Sequence, residues 1–192
     1  MRLMFTCIRC GACCRNLRCQ VGIWQIGLFL FPSEAELFKD RDVAPMWGVG
    51  IRGRSRPRPA EVHFLQLRPI NCPHIGPDNL CRIYTKRPTV CKAHPLELHM
   101  NPYTYQPERA SVDTRCTKVK EVQHGAAVNL KDNFPLNIIR ANIQASLSLG
   151  TMFKEAEGRA IWLYDLKTER WIMITTKNAE SMHESYNLLY QP

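Results

Sequence analysis

At 192 residues the chain is long enough for one domain with an appendage and for a core of its own, which excludes the smallest stapled scaffolds. Nine cysteines, about 5% of the residues, are too few for a disulfide-dense secreted fold and more than ordinary cytosolic usage. The longest apolar run, residues 21–31 with Gln25 inside it, falls short of the roughly eighteen residues needed to cross a bilayer, and residues 1–6 are too short for a signal core. The expectation is a soluble, cytoplasmic protein with no membrane partner, in whose reducing surroundings metal binding outranks disulfide bonding.

The formal charge of +9 invites a nucleic-acid reading, but its distribution weakens it. Lys and Arg outnumber Asp and Glu by ten to four in residues 1–60 and by nine to six in 61–124, and are balanced at seven each in 125–192. The excess sits with the cysteines. Eight thiolates and two divalent ions together would bring +9 to about +5, so part of the surplus compensates anionic metal–thiolate centres, with Arg9, Arg15, Arg18, Arg82 and Arg87 near them.

In chain order, Phe5 to Cys14 comes first and packs four thiols into eight residues: Cys7, Cys10, Cys13 and Cys14. No hydrophobic core needs that density, whereas soft thiolates suit zinc or iron–sulfur centres. Cys7-x2-Cys10-Gly11 reads as a metal-binding knuckle, with glycine in the tight turn, and Cys13 extends the run to Cys-x2-Cys-x2-Cys. Neighbouring side chains point apart in regular backbone, so Cys14 is the odd member, serving a second site or a polynuclear cluster. Residues 21–31 read as core, packed against this loop. Pro32 to Glu36 reads as the start of a short helix that ends near residues 39–42.

Residues 44–59 turn to glycine, proline and arginine, and read as an exposed loop or edge. Arg52, Arg54, Arg56 and Arg58 alternate there; such a run is usually solvated, and it is the candidate grip for phosphate or an acidic protein partner. Glu61 to Arg68 alternates like a strand. In the second cysteine group, Gly76 to Asn79 is turn chemistry that lets Cys72 and Cys81 face each other. Pro88 opens a short helix carrying Cys91, and Pro95 ends it. Tyr103 to Val112 is a strand leading to Cys116. A helix runs from residues 133–134 through Leu149, with Ile138, Ile139, Ile143 and Leu147 on its apolar face and Gly150 as its stop. Residues 159–166 and 170–176 form a hairpin, and Asn178 to Tyr190 closes the chain as a helix. The fold class is α+β: an irregular metal-centred cysteine-cluster domain over 1–124, then an α-β-β-α extension over 125–192 packed on it.

Together the two cysteine groups resemble the YkgJ-like cysteine-cluster family, with its Phe-x-Cys-x2-Cys-Gly-x-Cys-Cys, Cys-Pro, and Cys-x-Ile-Tyr-x3-Arg-Pro-x2-Cys pattern. Phe5 to Cys14, Cys72-Pro73, and Cys81 to Tyr84 through Arg87-Pro88 to Cys91 carry the likeness. It implies a zinc- or iron-chelating domain with eight ligand cysteines: Cys7, Cys10, Cys13, Cys14, Cys72, Cys81, Cys91 and Cys116. Cys19 falls outside the pattern and reads as a spare thiol. Zinc and an iron–sulfur cluster stand nearly even as cofactors, with iron slightly ahead. His74 and His94 sit close to cysteines but read as packing rather than ligands. The first reading of function is a non-catalytic metal-binding protein. The alternatives are a cluster-dependent redox or protein-modifying enzyme, distantly like flagellin lysine N-methylases, and, more weakly, a zinc-ribbon-like nucleic-acid binder.

Overall fold

Antiparallel strands, short helical turns and one long helix make up most of the described chain in this computed structural model, which covers residues 5–50, 59–100, 107–113, 116–119, 134–156 and 158–174. In chain order the strands are β1 (Cys19–Val21), β2 (Trp24–Ile26), β3 (Phe29–Leu30), β4 (Val43–Gly50), β5 (Glu61–Leu67), β6 (Leu96–Met100), β7 (Pro107–Val112), β8 (Ala160–Asp165) and β9 (Arg170–Ile174). The α-helices are α1 (Thr89–Ala93) and α2 (Leu136–Glu155). The fold is therefore mixed α+β with antiparallel sheets. No helix among the described residues is long and apolar enough to cross a membrane. The arginines Arg52, Arg54, Arg56 and Arg58 and the helix expected over 178–190 lie outside the described residues.

Two compact units divide the chain, and their segments interleave. The first takes described residues within 5–15 and 74–151, the second those within 16–73 and 152–174.

In the second unit a five-stranded sheet runs β3-β5-β4-β8-β9, every neighbouring pair antiparallel, with β1 and β2 as a separate hairpin. Residues 44–50, expected to be loop or edge, are instead the central strand of this sheet. Ala44, Met46, Trp47 and Val49 are buried there. The glycines that look like breakers are places of close approach: a Cβ on Gly48 would lie 2.5 Å from the Pro59 side chain. Pairing slips between Pro45 and Trp47, and the β4–β8 ladder begins only at Trp47 opposite Leu163. The carbonyls of Pro45 and Tyr164 are left at its open end, and Gln66 Nε2 donates to both, at 2.7 and 2.9 Å. Gln66 Oε1 accepts from the Gly27 N–H at 2.7 Å, so a fully buried amide satisfies three backbone groups at once. Leu30, Leu67 and Leu163 are wholly buried, and Phe29, Phe31 and Phe64 cluster with centroids 4.7–5.8 Å apart.

The run 21–31 is thus not one core segment. Gly22, at φ 62°, turns β1 into β2, and Val21, Trp24, Ile26 and Leu30 point inward. The expected helix after Pro32 is a 3-10 segment, Pro32–Leu37, held at its start by Glu34 Oε2 accepting from the Phe31 N–H at 3.0 Å; a second one covers Asp40–Asp42. The hairpin β8–β9 forms as expected and continues the sheet from β4. At its turn Asp165 Oδ1 accepts from the N–H groups of Gln25 (2.7 Å) and Lys167 (3.3 Å), while Oδ2 accepts from Thr168 N–H (3.0 Å) and Oγ1 (2.6 Å).

In the first unit β6 and β7 pair; the alternation Leu-Glu-Leu-His-Met of β6 is a strand signal, though β6 was not among the expected strands. Phe5, Leu96, Val112, Cys116, Val119, Phe134 and Ile138 form its core, with Phe5 and Phe134 rings 5.6 Å apart. Helix α2 does not stop at Gly150 but runs to Glu155. An interior glycine costs about 1 kcal/mol, and the last turn, which belongs to the second unit, packs well enough there to offset it: Met152 is buried and Phe153 stacks edge-on against Trp47 at 5.4 Å. Gly158, at φ 76°, supplies the left-handed turn that Gly150 was expected to supply. The expected stripe of α2 holds only in its first part, where Ile138 is buried and Ile139 packs against the core. Ile138, Ala141 and Asn142 are buried, Asn142 donating to the Leu96 carbonyl, whereas Ile143 and Leu147 are exposed.

Candidate metal centre

The cysteine loop is anchored at both ends. Phe5 sinks into the first unit's core and brings Cys7 against it. The backbone then turns through Arg9 (φ 55°) and Gly11 (φ 70°), and Ala12–Cys14 makes one 3-10 turn closed by Cys14 N–H donating to Gly11 O at 3.0 Å. Cys7 Sγ accepts from the Arg9 N–H at 3.4 Å. On this succession of turns Cys10 and Cys13 are exposed, and Cys7 and Cys14 half-buried.

Gly11 is needed for a second reason: a Cβ there would run into the Asn79 carbonyl and meet Ile75 at 3.0 Å. The second cysteine group therefore lies directly on the first. Its turn is tied by Asn79 N–H to Gly76 O and Gly76 N–H to Leu80 O, each 2.9 Å, and Arg15 donates to the Asn79 side chain across the two loops. Across that turn Cys81 stands opposite Ile75, not opposite Cys72 as the turn chemistry suggested. Arg9 and Arg87, far apart in sequence, each place their guanidinium carbon 4.1 Å from the Tyr84 ring centroid.

All nine cysteines are described residues and carry thiols. Cys7, Cys10, Cys13, Cys14, Cys81, Cys91 and Cys116 belong to the first unit, Cys19 and Cys72 to the second. Cys10 and Cys13 lie near enough to Cys116 for their charges to raise its thiol, whose main upward push is burial. Cys13 goes the other way. A hydrogen bond from the Cys14 thiol is the largest influence, and with help from the Arg87 charge it lowers Cys13 to about 7 against partial desolvation and the nearby Asp113 carboxylate. The adjacent thiols thus interact, although regular backbone would have pointed them apart.

Of the arginines expected near the ligands, Arg87 acts on Cys13, Arg82 pairs with Asp78 at 3.4 Å, and Arg18 is occupied elsewhere, bonding the Arg68 carbonyl and Gln25 in the second unit. Asp113 was not foreseen as part of this region; Tyr84 was, as a motif residue, but not its stacking between two guanidinium groups. The only signal for Asp113 is its place three residues before Cys116.

The donor set fits a soft metal: several thiols in one unit, one of them already ionising near neutrality beside a guanidinium. It is not closed on a point, since among the described residues no three or more His, Cys, Asp or Glu side chains stand in an arrangement that could hold an ion.

Comparison with curated proteins and with solved structures found no match. A family model described as "CxxCxxCC: Putative zinc- or iron-chelating domain" matches residues 6–121, a span that contains every cysteine. With more than half of its length matched and its thiols gathered in this way, the chain belongs to the CxxCxxCC family.

Proposed function

We propose that this protein is a metal-binding protein whose cysteine cluster holds zinc or an iron–sulfur centre, with Cys7, Cys10, Cys13, Cys14, Cys81, Cys91 and Cys116 as ligands. Cys72 joins them on the family pattern rather than on geometry. The observation that carries this reading is the close approach of Gly11 to the Asn79 carbonyl, which lays the Cys7–Cys14 loop on the turn that leads into Cys81, within the stretch matched by a zinc- or iron-chelating family model.

The bound metal would supply structure first. Residues 5–18 contain one 3-10 turn and no strand, and residues 68–83 only an isolated bridge, so few backbone hydrogen bonds fix them. A thiolate-bound ion adds folding free energy where regular structure is missing. The Cys-x2-Cys-x2-Cys run favours the iron–sulfur version, and either version suits a reducing compartment such as the cytoplasm.

The test is anaerobic purification followed by measurement of iron, zinc and acid-labile sulfide, on the natural chain and on C13S and C116S. Near-stoichiometric metal in the natural chain, reduced in both variants, is the expected result. A folded natural chain without metal under those conditions overturns the reading.

A further inference from the structure

We propose that the face made by the two cysteine loops is a docking site for an acidic protein segment, with Arg9, Arg82 and Arg87 taking its carboxylates and Ile8 and Leu80 taking its apolar side chains. The proposal concerns a partner and stands whichever metal the thiols hold.

Residues 5–15 and 74–93 contain six Lys and Arg side chains and a single carboxylate, Asp78, and all of them belong to the first unit. Arg9 and Arg87 both stack on Tyr84, and among the described residues neither guanidinium has a carboxylate partner. A guanidinium over a ring keeps N–H donors at its edge for an incoming carboxylate. Arg82 pairs with Asp78 at 3.4 Å, but the two side chains are exposed, at 57% and 44%, and so weak a pair is readily exchanged for a partner's acid. Arg9 holds a left-handed backbone at φ 55°, a conformation that glycine or asparagine adopts at less cost, so the position keeps its guanidinium against the local preference. The apolar members are exposed as well, Ile8 at 56% and Leu80 at 44%. Ile8 precedes Arg9, and Leu80 follows Asn79, whose carbonyl abuts Gly11, so both flank the meeting of the loops.

Arginine and tyrosine are enriched where proteins meet, whereas a single-stranded nucleic acid calls for open aromatic platforms along a continuous positive groove. Here the tyrosine is engaged by guanidinium groups and Asp78 interrupts the positive charge, which favours a carboxylate-bearing partner over a phosphate backbone. Compensation of metal thiolates accounts for Arg87, whose charge favours the Cys13 thiolate, but not for aliphatic side chains left in solvent at Ile8 and Leu80.

The experiment titrates the full chain, purified anaerobically, into a fluorophore-labelled peptide of Glu-Glu-Leu repeats and reads anisotropy at about 50 and about 300 mM salt. Binding should weaken about tenfold or more at the higher salt, and equally when every Glu of the peptide is replaced by Gln. R9Q/R82Q should weaken it by about three- to thirtyfold, whereas K167Q/R170Q, which removes the same charge from the second unit, should change it by less than about twofold. Carbodiimide coupling on the natural chain, which needs no variant to fold, should join peptide carboxylates to Lys86, the exposed lysine beside Arg87. Absence of binding, equal binding of the Gln peptide, equal losses in the two double variants, or coupling confined to lysines of the second unit would each overturn the proposal. Tighter binding of a deoxythymidine strand of equal length would overturn it too, in favour of a phosphate surface. Metal content is measured on the same samples, so loss of the partner site and loss of the metal reading are told apart.

Discussion

Cys13 and Asp165 both ionise more readily than their ordinary values allow, because hydrogen bonds outweigh desolvation at each. At Cys13 the Cys14 thiol and Arg87 outweigh desolvation, so the thiolate predominates above about pH 7. In metal-free protein, alkylation of Cys13 followed by mass spectrometry should therefore reach half its maximal rate near pH 7, against about 8.5 for an ordinary thiol. R87Q should move that midpoint upward, and an unmoved midpoint would separate Arg87 from the thiol. At Asp165 burial raises the carboxyl, but Thr168 Oγ1 and the N–H groups of Gln25, Lys167 and Thr168 lower it further than burial lifts it. A depressed carboxyl contributes stability that is complete above the ordinary carboxylate range near pH 4 and is lost as pH falls below it. Urea midpoints from pH 6 to 3 should fall accordingly. D165N, which turns an N–H2 toward N–H donors, should cost roughly 2–3 kcal/mol at neutral pH and flatten that fall. The cysteine spacing made the thiols legible from sequence, since no other chemistry explains four in eight residues. Of their partners Arg87 was legible, as a motif arginine expected beside the ligands, whereas Asp113 reaches Cys13 only through the folding of distant segments, and a single carboxylate has no pattern of its own.

Elements were read well where periodicity and turn chemistry agreed, as at β5, α1 and the β8–β9 hairpin. They were misread where glycine was taken at face value. In β4, Gly48 and Gly50 allow close approach of Pro59 instead of ending a strand, and in α2, Gly150 sits inside the helix because Met152 and Phe153 find packing beyond it. The bulge in β4 was equally hidden, because its compensation is Gln66, a polar residue that reads as the solvent side of an alternating strand. Q66L would leave the Pro45 and Tyr164 carbonyls and the Gly27 N–H without that amide, and a cost of about 2–4 kcal/mol is expected in chemical denaturation. A loss below about 0.5 kcal/mol would mean that the bulge finds other partners. Gly11 is the converse case, where glycine was read correctly as a turn. G11A adds a methyl group to a left-handed backbone and drives it into the Asn79 carbonyl, so about 2 kcal/mol of strain is expected. Metal affinity should fall with it, because the thiol loop and the 75–81 turn can no longer lie together.

At the scale of the whole molecule, the two units differ in what holds them. The second has a continuous five-stranded ladder, a bulge plugged by Gln66 and an aromatic cluster, none of which involves a thiol from the CxxCxxCC run. The first has a small core, one two-stranded sheet and two cysteine-bearing loops laid on each other. Metal removal should therefore act unevenly. Hydrogen exchange on chelator-treated protein is expected to speed up in residues 5–15, 74–93 and 116–119 by about tenfold or more, the equivalent of roughly 1.4 kcal/mol of local stability. Amides of β4, β5 and β8 should keep their protection, because their ladder partners lie within the second unit. Equal acceleration in both units would mean that the metal stabilises the molecule as one cooperative body. Unchanged exchange in the cysteine loops would mean that the loops are held by the Gly11–Asn79 contact and the Tyr84–arginine stacking alone, with the thiols contributing nothing to their order.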